Sequence, residues 1–156
     1  MTDGDLLDFE GGGPSTLSTD PTDGTNTVVR TVKSATAGAF AGVTMTGADG
    51  LASPIPFTAT STTMTARVYS PDAGIEVRLK VETNGDPTRS VETGATTTVS
   101  NGWETLTFDF SNQTSGTAPL NLDYVYDKIS IFFNIGTEGA TAGEKIYLWD
   151  DVDFQN

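Results

Sequence analysis

The segment Lys145-Ile-Tyr-Leu-Trp-Asp-Asp-Val-Asp-Phe154 contains the pattern from which the fold can be predicted. Tyr147 and Trp149 alternate with other side chains as residues do on one face of a β-strand. The two apolar residues that follow alternate in the same way, but they are out of phase by one residue. The change of phase falls at Asp150 and Asp151, as it would at a β-bulge, where one extra residue redirects the side chains. We therefore predict a bulged strand here.

The two carboxylates at the predicted bulge have two interpretations. Adjacent charges inside an apolar strand repel each other and resist burial. A bound cation would remove both costs, and a site built from oxygen ligands alone suits Ca²⁺. Alternatively, Asp150 and Asp151 form a solvated acidic edge that prevents edge-to-edge aggregation. The strand by itself leaves both interpretations open.

Similar alternation elsewhere predicts an all-β fold. The clearest case is Ile75, Val77, Leu79 and Val81, whose neighbours are charged. Turn-forming pairs such as Asn84-Gly85 separate the runs, whereas Ser15 to Asn26 is mostly polar, contains the turn signals Asp20-Pro21 and Asp23-Gly24, and is predicted to be a loop. The predicted strands are residues 7–10, 28–33, 40–45, 64–69, 75–82, 89–99, 105–110, 129–135 and 145–154. No helix is predicted, and nine short strands favour one antiparallel two-sheet sandwich over residues 1–156.

Composition excludes several classes of function. The formal charge is −13 and the pI is about 4.1, which argues against nucleic acid and anionic membranes as partners. There is no cysteine and no histidine, which excludes thiol nucleophiles, disulfides, histidine-based triads and histidine-bearing zinc sites. No apolar run has membrane-spanning length. Met1-Thr-Asp-Gly4 lacks the features of a signal peptide, and the abrupt start suggests a domain taken from a longer secreted protein.

Five segments, taken in order, carry a resemblance to a known family. They are Leu7-Asp-Phe-Glu10, Asn26-Thr-Val-Val-Arg30, Gly102-Trp-Glu-Thr-Leu-Thr-Phe-Asp-Phe110, Tyr126-Asp-Lys-Ile-Ser-Ile-Phe-Phe133 and Ile146-Tyr-Leu-Trp-Asp-Asp-Val152. Together they resemble the calcium-containing β-jelly-roll carbohydrate-binding modules appended to bacterial glycanases, particularly laminarinase-like enzymes of marine bacteria. The resemblance covers nearly the whole chain. It implies jelly-roll topology, a polysaccharide ligand and a structural Ca²⁺.

The same resemblance implies a set of metal ligands. In that family the metal joins the first strand, the following loop and the final strand, and the first and last strands are taken to be adjacent. The implied carboxylates are Glu10 and Asp150, with backbone oxygens from residues 23–26, including Gly24 and Asn26. Asp151 is the alternative to Asp150, because the geometry of the bulge decides which carboxylate faces the ion.

A polysaccharide needs aromatic rings for stacking and planar polar groups for hydrogen bonds to hydroxyls. Jelly-roll topology places the third, fifth, sixth and eighth predicted strands in one sheet. The outward residues predicted to bind the ligand are Phe40, Arg78, Lys80, Phe132 and Asn134, with Glu76 and Glu82 nearby. The alternative is that Arg78 and Lys80 only pair with those two glutamates.

The other aromatic residues receive different expectations. Tyr69 and Trp103 are predicted to lie on the opposite sheet, where Trp103 covers one end of the core. Tyr124 and Tyr126 lie in a loop that borders the ligand face and are reserve candidates for ligand binding.

We therefore predict a non-catalytic, secreted or cell-surface module that binds a β-glucan-like or related polysaccharide. It is expected to be monomeric and to target an attached glycanase or surface protein. One alternative is a structural or adhesion spacer, and another is a small lyase or hydrolase. Retaining hydrolysis needs two carboxylates about 5–5.5 Å apart. Glu76 and Glu82 are the best pair, and they lie six residues apart, about 20 Å along a strand.

Overall fold

The computed structural model describes residues 2–155 and shows two five-stranded antiparallel sheets packed face to face, which confirms the predicted β-sandwich. The strands are β1 (Leu7–Phe9), β2 (Gly12–Thr19), β3 (Thr27–Lys33), β4 (Gly42–Thr44), β5 (Thr63–Ser70), β6 (Glu76–Thr83), β7 (Asp86–Thr96), β8 (Gly102–Asp109), β9 (Lys128–Phe133) and β10 (Lys145–Gln155). Two short helical turns accompany them, a 3₁₀-helix at Asp3–Asp5 and α1 at Gly139–Ala142. No helix in the described residues is long and apolar enough to cross a membrane.

The order of strands in the two sheets gives the topology. One sheet has the order β1-β4-β9-β6-β7 and the other has the order β2-β3-β10-β5-β8. The last eight strands form four nested antiparallel pairs: β3 with β10, β4 with β9, β5 with β8, and β6 with β7. Eight strands that pair in this nested order and fold into two facing sheets form a jelly roll. Strands β1 and β2 each extend one sheet at its edge.

The hydrophobic core lies between the sheets and follows the alternation seen in the sequence. On β6, Val77, Leu79 and Val81 are fully buried, while the charged residues between them face outward. The two largest fully buried side chains, Trp149 and Tyr147, come from β10, and the ring of Tyr147 stacks on that of Phe133 from β9 at 4.6 Å. Such packing of alternate residues from two sheets is the main source of stability in a sandwich.

The predicted bulge in β10 is confirmed. The register of β10 against β5 shifts between Asp150 and Asp153, and Asp151 has a positive φ of 48°. On the core side of the bulge, Trp149 is buried and its indole N–H donates to the hydroxyl of Thr31 at 2.9 Å. Asp150 lies on the opposite side of the strand, across from Arg67 of β5.

Two expectations about the chain near its start are wrong. The predicted polar loop from Ser15 to Asn26 begins as strand β2, which pairs with β3 from Gly12 to Thr19. Only Gly12 and Ser15 of β2 are buried, and neither is a large apolar residue, so the strand carries no apolar alternation from which it could be predicted. The first and last strands are not adjacent either, because β1 pairs with β4 in one sheet and β10 lies at the centre of the other.

Candidate functional site

A solvent-open cleft of about 520 Å³ crosses the outer face of the β1-β4-β9-β6-β7 sheet. Four of the five predicted ligand-binding residues line it: Phe40, Arg78, Lys80 and Phe132. The other lining residues are Phe9, Glu10, Thr44, Glu82, Glu92, Thr117, Lys128, Ser130 and Ile135. The structure therefore brings most of the predicted ligand-binding residues together, in a volume that is usual for ligand sites.

Strand register explains why these residues share one face. Residues opposite each other on neighbouring strands point to the same side of a sheet. One transverse row is formed by Gly42, Phe132, Arg78 and Gly94, and the next is formed by Thr44, Ser130, Lys80 and Glu92. The two rows form the floor of the cleft across four strands.

One end of the cleft is aromatic. The side chain of Phe40 is 56% exposed, in the segment before β4, whereas Phe132 is only 7% exposed. The rings of Phe9 and Phe132 meet edge to face at 5.4 Å. Gly42 makes room for this pair, because a Cβ atom there would lie 2.8 Å from the ring of Phe9 and 3.0 Å from that of Phe132. Phe40 therefore offers the accessible ring, and the other two form the floor.

The middle of the cleft contains an arginine held by two carboxylates. The Nε and Nη2 atoms of Arg78 contact Oε1 of Glu76 at 2.9 and 2.8 Å. Its Nη1 atom contacts Oε2 of Glu92 on β7 at 3.2 Å. Gly94 lies opposite Arg78, and a Cβ atom there would come within 2.5 Å of the Glu76 carboxylate. The backbone of β7 thus leaves space for this ion pair.

The end of the cleft opposite the aromatic residues is charged and contains two lysines that share one glutamate. The ammonium groups of Lys80 and Lys128 both contact the carboxylate of Glu82, the latter at 2.9 Å. Burial by itself raises the pKa of Glu82, but the two ammonium groups outweigh it and hold the pKa below its ordinary value. Arg78 and Lys80 thus form the pairs with Glu76 and Glu82 that the alternative to ligand binding describes, and both cations also line the cleft.

Asn134 does not line the cleft. Strand β9 ends at Phe133, one residue before it, and Asn134 has a positive φ of 47°. The ammonium group of the buried Lys33 donates hydrogen bonds to the carbonyl of Asn134 at 2.9 Å and to that of Phe133 at 3.1 Å. Burial lowers the pKa of Lys33. Asn134 therefore belongs to the turn that ends β9.

The four residues implied as calcium ligands do not form one site. The side-chain amide of Asn26 donates to Asp150 at 3.0 Å, and Gly24 lies in the same exposed turn. Glu10 lines the cleft instead, beside the segment after β3, where its carbonyl accepts from the N–H of Gly38. Glu10 lies near the C-terminal end of β3 and Asp150 lies near its N-terminal end, so the two residues are about 16 Å apart along the strand. Residues 2–155 contain no group of three acidic side chains placed to hold a metal.

Trp103 and Tyr69 lie on the outer face of the other sheet, as predicted. Their rings meet edge to face at 5.6 Å, and the guanidinium of Arg67 lies 3.8 Å from the centre of the Trp103 ring. The indole N–H donates to the buried carboxylate of Asp20 at 3.0 Å. Trp103 thus packs outside the hydrophobic core rather than over its end.

The reserve candidates lie away from the cleft lining. Tyr126 is buried in the core, and its hydroxyl accepts from the N–H of Asn121. Tyr124 is exposed, with the guanidinium of Arg89 5.2 Å from its ring centre.

Sequence reasoning missed three important lining residues: Phe9, Glu92 and Lys128. Lys128 could have been found, because it alternates with Ser130 and Phe132 on β9. Phe9 and Glu92 lie on strands whose outward faces carry no sustained pattern, and only the register with their neighbours places them in the cleft.

The sequence matches no protein-family model and no curated protein. Several solved structures share the fold. An exo-β-agarase structure has a TM-score of 0.63 at 13% identity, and the match covers 99% of this chain and 24% of that one. The family 11 carbohydrate-binding module of a Clostridium thermocellum cellulosomal cellulase has a TM-score of 0.58 at 15% identity, covering 94% and 84% of the two chains.

A family 30 carbohydrate-binding module of another cellulosomal cellulase from the same organism has a TM-score of 0.58 at 11% identity. That match covers 100% of this chain and 95% of that one. The chain therefore spans about a quarter of the agarase structure but most of each module. At these identities the likeness establishes the fold: this chain has the β-sandwich fold of carbohydrate-binding modules.

Proposed function

We propose that this protein is a non-catalytic polysaccharide-binding module, with its ligand in the cleft on the β1-β4-β9-β6-β7 sheet. The observation that carries the proposal is the exposed ring of Phe40 at one end of a cleft whose floor is lined by charged hydrogen-bonding groups. A sugar ring presents C–H groups on its faces and hydroxyls on its edge, so it requires this combination of apolar and polar contacts.

The geometry suggests how a glycan chain would lie. One sugar unit stacks on Phe40, and the following units cross the strands over the floor rows. Sugar hydroxyls both donate and accept, so they can bind carboxylate oxygens such as those of Glu92 and ammonium groups such as that of Lys80. Four neighbouring strands provide a surface for several units of an extended chain.

The charged residues favour binding over catalysis. Glu76 and Glu82 lie at opposite ends of β6, and each contacts a cationic group. A general acid must hold a proton, and protonating an ion-paired carboxylate breaks its ion pair, so paired glutamates suit that role poorly. This arrangement supports assignment as a binding module.

We also propose a β-glucan-like ligand, with laminarin and mixed-linkage β-glucan as the first candidates. A structure of the family 11 module in complex with a β-1,3-1,4-mixed-linked tetrasaccharide has a TM-score of 0.55 to this chain, and that likeness supports the choice. Polysaccharides of this kind are extracellular, so the module is proposed to be secreted or on the cell surface. It is further proposed to act as a monomer attached to a glycanase or surface protein.

Affinity electrophoresis against laminarin, mixed-linkage β-glucan, alginate and xylan tests the proposal. A binding module is retarded by at least one glycan, whereas a structural spacer migrates unchanged with all of them. Reducing-end and unsaturated-sugar assays on the same panel should stay at background. Retardation by none of these glycans would refute the proposal, and release of products would replace it with an enzyme.

A further inference from the structure

We infer that Glu76, Glu82 and Glu92 are selectivity residues that restrict the cleft to uncharged glycans. This inference rests on the proposed function and concerns the same cleft. It goes further by assigning a role to the three carboxylates that contact the cationic groups of the cleft floor.

The first observation is that the positive charges of the cleft are already compensated. Within residues 2–155, the cationic groups that line it are Arg78, Lys80 and Lys128, and each contacts a glutamate. Three carboxylates line the cleft, those of Glu10, Glu82 and Glu92, and a fourth, that of Glu76, contacts Arg78 from outside the lining. Four carboxylates therefore accompany three cations, and the whole chain has a formal charge of −13. A sulfate or uronate group entering here meets more negative than positive charge.

The second observation is the geometry of Arg78. Arginine binds anions most strongly through two parallel N–H donors. Nε and Nη2 of Arg78 are both directed at Oε1 of Glu76, and Nη1 is directed at Glu92. Three of the five N–H donors of this guanidinium are thus engaged, so an anionic ligand must compete with two carboxylates for it. A hydroxyl can instead donate to the glutamate oxygens, which a sulfate or a carboxylate without a proton cannot do.

The third observation is that β7 is built around the Arg78 ion pair. Gly94 has no side chain, and a Cβ atom at this position would lie 2.5 Å from Oε1 and 3.0 Å from Cδ of Glu76. Gly94 faces Arg78 in register and has no positive φ that would itself require glycine. Alanine at this position should therefore move the Glu76 carboxylate away from Arg78 without disturbing the backbone.

The test compares Glu92→Gln and the double variant Glu76→Gln/Glu92→Gln with the parent protein. Asp86→Asn is the matched control, because it removes one carboxylate from β7 that pairs with Arg89 at 3.1 Å, and neither residue lines the cleft. The probes are two matched pairs: laminarin with partially sulfated laminarin, and hydroxyethylcellulose with carboxymethylcellulose. Dissociation constants are measured by affinity electrophoresis at low salt and at about 0.5 M NaCl.

We expect the parent to bind the uncharged member of at least one pair more tightly than its anionic member. In Glu92→Gln the affinity for the anionic member should rise about fivefold at low salt, because the variant removes the repulsion between the Glu92 carboxylate and an anionic group a few ångströms away. In the double variant, which removes two carboxylates, the affinity should rise further. The gain should largely disappear in high salt. Affinity for the uncharged member should not rise, because glutamine retains one acceptor oxygen for a sugar hydroxyl but loses the charge that strengthens that hydrogen bond.

Gly94→Ala provides an independent test that keeps all charges, and it should give a smaller gain in the same direction. The inference is overturned if the glutamine variants show no gain for either anionic probe, or if Asp86→Asn produces the same gain. It is also overturned if the parent prefers the anionic probes. A parent that binds only anionic glycans would overturn this inference and leave the proposed function standing. A parent that binds no glycan on any panel would overturn the proposed function, and with it this inference.

Discussion

The two outer faces of the sandwich carry similar residues that are used differently. On one face Arg78 lies in an open cleft with Phe40 at its end. On the other face Arg67 lies over the ring of Trp103, and both donate to Asp20, a residue just after β2. Each face thus combines an aromatic residue with an arginine held by carboxylate.

The difference lies in what covers the aromatic ring. Asp20 is buried, and it also accepts two hydrogen bonds from Thr22, so the loop between β2 and β3 is fastened onto the second face. The indole N–H of Trp103 is satisfied and its ring is in contact with Arg67. The ring of Phe40, in contrast, is more than half exposed. An aromatic residue beside an arginine therefore indicates a ligand site only where no loop of the chain occupies it.

The largest expected effect concerns the loop that covers the second face. Replacing Asp20 by Ala removes acceptors from Arg67, Trp103 and Thr22 at once and leaves the half-buried donors of Arg67 and Trp103 unpaired. We expect Tm to fall by about 5–10 °C in a thermal melt, with glycan affinity unchanged. Asp123→Ala, at an exposed position, is the control and should leave Tm unaltered. A weakened glycan affinity would mean that the two faces are not independent.

The next effect concerns the first face. Replacing Phe40 by Ala should reduce affinity for the best glycan about tenfold, because it removes the exposed stacking ring. Tm should change little, since the ring is mostly exposed. Tyr124→Ala is the control, because Tyr124 is also an exposed aromatic residue but does not line the cleft. If both variants bind as well as the parent, the cleft is not the ligand site.

The sheets and most of the cleft could be predicted because they depend on alternation. Arg78, Lys80 and Phe132 lie on one face in the structure, as their places in the predicted strands require. Phe40 also lines the cleft, but it lies in the turn before β4, because the strand predicted over residues 40–45 begins only at Gly42. Strand β2 could not be predicted in the same way. Its sequence contains glycine, proline and hydroxyl residues, and its strand conformation depends on pairing with β3.

The implied set of calcium ligands depends on long-range placement, which local pattern does not determine, whereas Ca²⁺ binding itself stays a prediction. The bulge at Asp150 and Asp151 was found from phase alone. The assumption that Glu10 lies beside it required the first and last strands to be neighbours. Because the nested pairing of the jelly roll places β1 and β10 in different sheets, the two carboxylates end at opposite ends of β3.

A smaller effect is expected from acid. Burial raises the pKa of Asp20, but the hydrogen bonds from Thr22, Arg67 and Trp103 outweigh it, so its pKa in the folded protein lies well below the ordinary value of 3.8. A carboxylate with a depressed folded pKa stabilises fully above its unfolded pKa and loses that contribution as pH falls toward the folded one. The difference in Tm between the parent and Asp20→Asn should be constant above about pH 5 and shrink below pH 4. A difference that grows in acid would contradict this assignment.

The smallest expected effect is the coupling between the two ends of β3. Glu10→Gln changes the edge of the cleft and Asp150→Asn changes the bonding of the loop that contains Asn26, so their effects on stability should add. We expect a coupling energy below about 0.5 kcal/mol in a double-mutant cycle. Asn26→Ala with Asp150→Asn is the positive control, because these side chains are hydrogen-bonded at 3.0 Å and should couple measurably.

If Ca²⁺ joined Glu10 to Asp150, the first cycle would show strong coupling, EGTA would lower the Tm of the parent, and either substitution would abolish that response. Melts of the parent and of the two variants with and without EGTA therefore distinguish two separate structural positions from a shared metal site.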